Sequence, residues 1–148
     1  MKPSKFFTEE QKKQITDAIK DAEKNTSGEI RLHVEKKCRI NVMDRAAYIF
    51  SKLKMHRTEK RNGVLFYLAV DDHKFAILGD AGINAATPDD FWDEIKDVVL
   101  DHFQENRYAD GLAKGIRMAG EALHEHFPYQ SDDVNELSNE ISFGKEEK

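Results

Sequence analysis

Cysteine is almost missing from this chain, since Cys38 is the only one. A single thiol excludes an internal disulfide and any metal site built from several cysteines, and we expect a buried or idle thiol rather than a nucleophile. The chain also lacks an apolar run of the roughly 18 to 20 residues that a membrane span needs. Its first residues carry charge and show no long apolar region of a signal peptide. We therefore expect a cytoplasmic protein without a membrane span.

Positive charge is in deficit as well, because the formal net charge is −5 at pH 7. Such a surface does not favour general binding to nucleic acid or to an anionic membrane. The 148 residues suit one domain with a core of its own. We place that domain at residues 8–127. We predict that the acidic stretch 128–148 is a flexible tail or is docked by a few apolar residues, namely Val134, Leu137, Ile141 and Phe143.

Three stretches have the composition of β-strands. Residues 64–70 are apolar or aromatic without interruption, the pattern of a strand buried on both faces in the centre of an α/β sheet. Residues 29–35 alternate apolar and polar side chains, which predicts a half-exposed strand nearer an edge, with His33 facing solvent or a helix. Residues 74–78 follow a short acidic turn and are predicted to form a hairpin with the central strand.

Helical spacing of apolar residues predicts helices around these strands. The first follows a capping box at Thr8. The second spans about 41–55 and connects two strands, which makes those strands parallel with a right-handed crossover. The third begins at Thr87, with Pro88 at its first helical position, and the last runs over about 109–127. The predicted order is α-β-α-β-β-α-α, which indicates an α/β fold with a small mixed sheet.

Several short motifs are individually weak but fairly specific in their order and spacing. They are Ser27-Gly28-Glu29-Ile30, Arg61-Asn62-Gly63-Val64-Leu65, Asp71-Asp72-His73-Lys74-Phe75-Ala76-Ile77, Gly79-Asp80-Ala81-Gly82-Ile83, Phe103, Tyr108, Gly111-Leu112 and Gly115. Over about residues 10–127 this set resembles the TPM domain family, which is named for a thylakoid lumen protein, a photosystem II repair protein and a nematode receptor modulator.

The resemblance implies a three-layer α/β/α sandwich with a small mixed sheet, in agreement with the order of elements. Members are often called phosphatases, because a plant relative shows acid phosphatase activity and metal binding, whereas others are auxiliary or assembly factors. One run departs from the family pattern. Residues 79–84 lack the glutamate that members usually carry after the second hairpin strand.

Strand direction brings polar residues to two ends of the predicted sheet. Glu29, Asn62 and Asp80 fall together at one end, and oxygen ligands of this kind suit Ca²⁺ or Mg²⁺. A metal ion held there would assist phosphoester hydrolysis, with Glu29 and Asp80 as the catalytic candidates. Asp71 and Asp72, at the opposite end, are the alternative metal ligands. Ordinary turn formation explains both groups without function, and no motif for an organic cofactor is visible.

Three functions stay open on this basis. The leading hypothesis is a binding or regulatory module with an unknown protein partner. Its rival is a divalent-metal-dependent phosphatase that acts on phosphoesters. The third is capture of a peptide by the half-exposed strand at residues 29–35.

Overall fold

The computed structural model describes residues 2–129 and 137–144. Its helices are α1 (Glu9–Glu23), α2 (Val42–Lys52), α3 (Ala81–Ala86), α4 (Asp93–Gln104) and α5 (Tyr108–His124). Its strands are β1 (Glu29–Glu35), β2 (Gly63–Ala69), β3 (Lys74–Gly79) and β4 (Ser142–Phe143), and short 3-10 helices lie at Pro3–Lys5 and Met55–Arg57. None of the described helices is long and apolar enough to cross a membrane.

Within the described residues, one four-stranded sheet with the order β3-β2-β1-β4 forms the middle layer. β1 and β2 run parallel, and β2 pairs with β3 as an antiparallel hairpin, so both predicted pairings are confirmed. Every residue of β2 is buried, because apolar layers cover the sheet on both faces, and this accounts for the unbroken apolar composition of the strand. The predicted three-layer α/β/α fold class is also confirmed.

The two faces of the sheet carry different cores. On one face, Ile30, Leu32 and Phe66 pack with the apolar stripes of α1, α4 and α5. On the other face, Leu65 and Tyr67 pack with α2. Because side chains alternate along a strand, the second face also receives the polar residues of β1. That face therefore combines an apolar cluster under α2 with a polar row along β1.

β1 is not a half-exposed strand near an edge, so this expectation was wrong. His33 is only 4% exposed and Glu35 only 5%. β4 pairs in parallel with the outer side of β1, opposite His33 and Val34, and it converts a predicted edge strand into an inner one. The polar half of the alternating pattern is buried because the chain supplies its own cover and its own hydrogen-bond partners.

That cover comes from the predicted tail. Residues 137–144 lie against the domain, with Leu137 buried in the second core and Ser142–Phe143 forming β4. Val134, with the other residues of 130–136 and 145–148, lies outside the described residues. The flexibility assigned to the tail stays a prediction for those residues.

The helix predicted to begin at Thr87 begins instead at Asp93. The short helix α3, which the periodicity did not indicate, precedes it at Ala81–Ala86. The Thr87 hydroxyl donates back to the Ile83 carbonyl oxygen at 2.8 Å and closes α3. Pro88 then begins a turn, in which Phe91 N–H donates to the Pro88 carbonyl oxygen at 3.1 Å. The Thr87-Pro88 sequence, which is typical of a helix start, therefore ends α3 and does not begin α4.

Candidate functional site

The first group of predicted site residues does meet at one end of the sheet, which we name the amino end after the start of β1. Glu29 N–H donates to the Asn62 carbonyl oxygen at 3.3 Å, and Asp80 N–H donates to the Gly63 carbonyl oxygen at 3.0 Å. The topology behind this prediction is therefore correct. What the three side chains do at this end depends on their own partners.

Asp80 holds the start of α3 and an arginine. Its Oδ1 accepts from Ala81 N–H at 2.7 Å, and its two oxygens accept from Arg61 Nε and Nη2 at 2.9 and 3.0 Å. His56 Nδ1 lies 3.2 Å from the same carboxylate. Burial raises the pKa of Asp80, but the hydrogen bonds from Arg61 and Ala81 outweigh it and lower the pKa below its ordinary value. Asp80 is thus an ionised, fully engaged carboxylate.

Glu29 and Asn62 also make hydrogen bonds within the fold. Glu29 is 3% exposed, and its Oε1 accepts from Leu137 N–H at 2.6 Å, which ties the C-terminal segment to the sheet. The Asn62 side-chain amide donates to Ser27 Oγ at 3.3 Å, and its backbone N–H donates to Thr58 Oγ1 at 3.1 Å. Both residues therefore fix the loops around the amino end.

A divalent cation at these three residues would have to compete with an arginine. A guanidinium already occupies the fork of the Asp80 carboxylate, and a cation of the same sign would have to displace it. In the part of the chain that the structure describes, no three His, Cys, Asp or Glu side chains are grouped so as to hold a metal ion. Binding of Ca²⁺ or Mg²⁺ by Glu29, Asn62 and Asp80 stays a prediction.

A further carboxyl group at the amino end escaped the sequence analysis. Glu23 Oε2, on the last turn of α1, accepts from Ile30 N–H at 2.8 Å. Burial, with the nearby charge of Glu29 adding to it, raises the pKa of Glu23 to about 8. In the part of the chain that the structure describes, no arginine pairs with Glu23, whereas Arg61 pairs with Asp80. Glu23 is therefore largely protonated at neutral pH, and a charged residue at the end of an amphipathic helix gives no sequence signal of this.

The alternative pair, Asp71 and Asp72, lies at the opposite end of the sheet, which we name the carboxyl end. Both residues are exposed. Asp72 Oδ2 accepts from Cys38 N–H at 2.7 Å, and Asp71 N–H donates to the Lys36 carbonyl oxygen at 2.9 Å. The hairpin turn is thus joined to the loop that follows β1. A role of this pair in metal binding stays a prediction as well.

Glu35, the last residue of β1, is the centre of a buried polar cluster at the carboxyl end. Arg45 on α2 donates to it through Nε at 2.8 Å and through Nη2 at 2.9 Å. The Tyr67 hydroxyl donates to Glu35 Oε2, and His33 Nε2 lies 3.4 Å from Oε1. Burial raises the pKa of Glu35, but the hydrogen bonds from Arg45 and His33 outweigh it and lower the pKa to about 2.

The pKa values of two residues that bind Glu35 are shifted as well. The hydrogen bond with Glu35 raises the pKa of Arg45, and burial together with Glu35 raises the pKa of Tyr67. His33 Nδ1 is 2.9 Å from Ser142 Oγ, so the tautomer with a proton on Nε2 donates to Glu35 and accepts from Ser142. A Ser-His-Glu chain results, but its carboxylate is already neutralised by Arg45.

Above this cluster opens a cleft of about 350 Å³, which we name the basic cleft. Four cationic side chains line it, together with Glu35, Cys38 and Ile40; the cations are Lys36, Lys37, Arg39 and Arg45. The cleft lies beyond the carboxyl end of a parallel strand, the usual place for a ligand in an open α/β sheet. Its chemistry suits an anion, because lysine and arginine bind carboxylates and phosphates.

Hydrogen bonds fix the loop that carries these cations. Lys74 Nζ donates to the Cys38 carbonyl oxygen at 3.1 Å, and the Cys38 thiol donates to the Ile40 carbonyl oxygen at 3.3 Å. Cys38 is buried, as expected for an idle thiol. This site was not predicted, although a run of cations directly after a parallel strand is a sequence signal that could have pointed to it.

The chain is similar to proteins of known family and structure. A family model described as the TPM domain, under the name TPM phosphatase, matches residues 1–122. The solved BA42 protein of the psychrophilic bacterium Bizionia argentinensis is 51% identical, with a TM-score of 0.90 over 95% of this chain and 97% of that one. No curated protein matches the chain.

Two more distant solved structures show the same fold. The N-terminal domain of a protein from P. gingivalis has 17% identity and a TM-score of 0.69, over 86% of this chain and 83% of that one. The N-terminal domain of the cg2496 protein from Corynebacterium glutamicum has 13% identity and a TM-score of 0.63, over 87% and 80%. At these identities the similarity concerns the fold alone.

Proposed function

Because this chain belongs to the TPM domain family, we propose that it acts as a binding or regulatory module that holds an anionic group of a protein partner in the basic cleft. The supporting observation is the lining of that cleft, with four cationic side chains in a chain whose net charge is −5. Positive charge that is concentrated in one concavity of an acidic protein attracts an oppositely charged group there.

The cations of the cleft are not used equally within the fold. Arg45 is committed to Glu35 through two hydrogen bonds. Lys37 and Arg39 are exposed, and within the described residues neither makes an ion pair. They are therefore available to a carboxylate or phosphate group, and each charge-assisted hydrogen bond contributes about 1.5–3 kcal/mol.

Binding without turnover also agrees with the state of Glu35. An effective general acid or base has a pKa near the operating pH, whereas the pKa of Glu35 is lowered to about 2. Arg45 and Tyr67 hold its carboxylate in place. Glu35 thus serves as a fixed anchor for Arg45, and Arg45 forms part of the cleft wall.

The proposal is tested by titrating isotope-labelled protein with inorganic phosphate and, separately, with a glutamate-rich peptide, while amide NMR signals are followed. We expect saturable shifts confined to residues 36–45. The double variant Lys37→Glu with Arg39→Glu abolishes them. The matched control is Lys20→Glu with Lys114→Glu, which changes net charge equally at exposed positions of α1 and α5. Shifts that are scattered over the surface, or equal losses in both variants, would refute a specific anion site.

A second candidate is the divalent-metal-dependent phosphatase. It is favoured by the meeting of Glu29, Asn62 and Asp80 at the amino end and by the name of the matching family model. The measurement is turnover of a phosphoester panel with Mg²⁺ or Ca²⁺, in the wild type and in Asp80→Asn, which keeps an oxygen acceptor for Ala81 N–H. Metal-dependent multiple turnover that is lost in this folded variant would replace our leading proposal. A cytoplasmic location and the lack of a nucleic-acid partner stay predictions.

A further inference from the structure

We propose that the outer edge of β1 is a peptide-binding site, which the chain's own residues 137–144 occupy, and that a partner's extended peptide with the same side-chain pattern takes their place. We name residues 137–144 the C-terminal segment. This site is the strand edge, not the basic cleft, so it does not depend on the function proposed above.

The C-terminal segment lies outside the part of the chain that the family model matches, residues 1–122. Without the segment, β1 would be the last strand of the sheet on that side, because the strand order is β3-β2-β1-β4. An open parallel edge with regular N–H and C=O groups is an acceptor for an added strand. This chain fills the acceptor with a strand of two residues that pairs opposite His33 and Val34.

The edge recognises side chains as well as backbone. Ser142 Oγ is 2.9 Å from His33 Nδ1, a bond that requires a hydroxyl or another small polar group at this position. The ring of Phe143 lies under the Lys12 ammonium, 5.4 Å from Nζ to the centroid. Leu137 is 9% exposed and joins the second core. Each contact lies at a defined position along the segment, which is how a strand-addition site obtains specificity.

Gly144 sets the far limit of the site. Its N–H donates to the Val34 carbonyl oxygen at 2.8 Å. A Cβ at this position would come within 2.5 Å of the Cβ of Glu35, and β1 cannot move aside because β2 holds its other edge. Only glycine therefore allows the segment to pass Glu35 at this distance.

The opposite limit is set by Glu23. Its carboxyl group accepts the hydrogen bond of Ile30 N–H. Because that donor is no longer available to another strand, an added strand is restricted to the carboxyl half of β1. Arg31, on the polar face between these limits, has a buried Nε without a hydrogen-bond partner in the described residues. Burial lowers the pKa of Arg31, and the negative charge of Glu140 opposes this shift. The site thus favours an acidic residue just before the paired strand.

These positions define the partner's chemistry. It is an extended peptide with an acid, an apolar residue, a small hydroxyl residue, an aromatic residue and a glycine, in the order of Glu140 to Gly144. The resident segment is a weak competitor, because its strand has two residues and Ser142 and Phe143 are only half-buried. The apparent affinity of an incoming peptide is reduced by the fraction of sites that the segment holds closed.

The test uses the full chain with its segment released. Gly144→Val places a branched side chain against Glu35. Phe143→Lys, a second release variant, removes the ring from Lys12 and puts a like charge beside it. A fluorescein-labelled peptide with the sequence of residues 137–144 is the probe, and polarisation is measured. We expect saturable binding to both release variants, roughly tenfold or more tighter than to the wild type, since the closed fraction no longer competes. A scrambled peptide is expected not to bind.

Controls separate the outcomes. Circular dichroism establishes that each release variant is folded, and addition of Lys37→Glu with Arg39→Glu leaves peptide binding unchanged, which separates this edge from the basic cleft. No saturable binding to folded release variants overturns the proposal, as does equal binding of the scrambled peptide. A stable dimer of the release variants that excludes the peptide also overturns it, in favour of pairing between two copies of the chain.

Discussion

Each end of the sheet contains an ion pair between an arginine and a buried carboxylate. The two pairs are of the same kind, but their surroundings differ. At the amino end, the Arg61 guanidinium grips Asp80 through two nitrogens. At the carboxyl end, the Arg45 guanidinium grips Glu35 in the same way. Both carboxylates are buried, and hydrogen bonds from the guanidinium lower the pKa of each. By charge and residue type, the two ion pairs are nearly equivalent.

The surroundings make the two ends different. Asp80 continues directly into α3, so its carboxylate caps a helix. Glu35 is followed by a loop that adds Lys36, Lys37 and Arg39 and stands away from the sheet to leave a cleft. A gripped carboxylate is thus part of the scaffold at both ends. The feature that indicates a binding site is charge in excess of what the scaffold neutralises.

The largest expected effect is on the free energy of unfolding, and it should differ between variants of Arg45 and Arg61. Arg45→Ala leaves Glu35, whose side chain is 7% exposed, as a buried charge without its cation, and we expect a loss of about 3 kcal/mol in the free energy of unfolding. Arg61→Ala is expected to cost clearly less, because Asp80 keeps the Ala81 N–H and the Arg61 side chain is 47% exposed. Urea denaturation at pH 7 measures both. Equal losses would show that the two pairs are equivalent in stability.

Acid should reveal the contribution of Glu35 directly. Its pKa in the folded protein, about 2, lies below its ordinary value of 4.5. The associated stability is therefore present above pH 4.5 and is lost as the pH falls toward 2. We expect this loss to be on the order of 2 kcal/mol. In Glu35→Gln it is absent, so the unfolding free energies of wild type and variant converge as the pH falls. A constant difference between them would contradict the lowered pKa.

Glu23 should show the opposite dependence on pH, because none of the described residues places a cation against its carboxyl group. Its pKa rises from 4.5 to about 8 in the folded protein, so its contribution to stability is complete below pH 4.5 and is lost as the pH rises through 8. Glu23→Gln keeps an acceptor for Ile30 N–H and carries no charge. We expect it to gain roughly 1 kcal/mol over the wild type between pH 5 and pH 8, as measured by urea denaturation. A gain that is independent of pH would argue against a protonated Glu23.

The smallest expected effect on stability belongs to the cations of the basic cleft. Lys37→Glu with Arg39→Glu changes exposed side chains without ion pairs in the described residues, so we expect the free energy of unfolding to change by less than about 0.5 kcal/mol. Thermal unfolding, with Lys20→Glu and Lys114→Glu as the control, measures this. A large loss would mean that these cations stabilise the fold. A loss of anion binding in this variant would then not distinguish a binding site from a destabilised protein.

Much of the fold follows from local pattern. The apolar run of β2 predicts its central position, and the helix between β1 and β2 predicts their parallel pairing, because short-range periodicity decides both. β4 could not be found in this way, since Ser142 and Phe143 alone show no period. The burial of His33, which lies opposite Ser142, was missed together with β4. The burial of Glu35 was missed because it depends on Arg45 and Tyr67, which are distant in sequence. Thr87 was misassigned because a hydroxyl near a helix boundary can bond in either direction along the chain.

The meeting of polar residues at the amino end was predicted, but their hydrogen-bond partners were not. Strand direction correctly brings Glu29, Asn62 and Asp80 to one end of the sheet. It does not show that the Arg61 side chain reaches back to Asp80. Arg61 itself has a positive φ of 51°, a backbone conformation that strand direction does not predict. The basic cleft depends on the path of a loop, and loop paths follow from long-range contacts such as that of Cys38 with Asp72.

The order of chain synthesis gives the late pairing of β1 with β4 a further meaning. Ser142 follows its partner His33 by 109 positions, so a ribosome makes nearly the whole domain before the outer edge of β1 can be closed. Contacts of such long range form slowly, because the entropy of closing the intervening loop is lost before the contact is gained. The outer edge of β1 therefore stays open until the C-terminal segment has been made, and pairing with β4 then removes an open strand edge of the kind that favours aggregation.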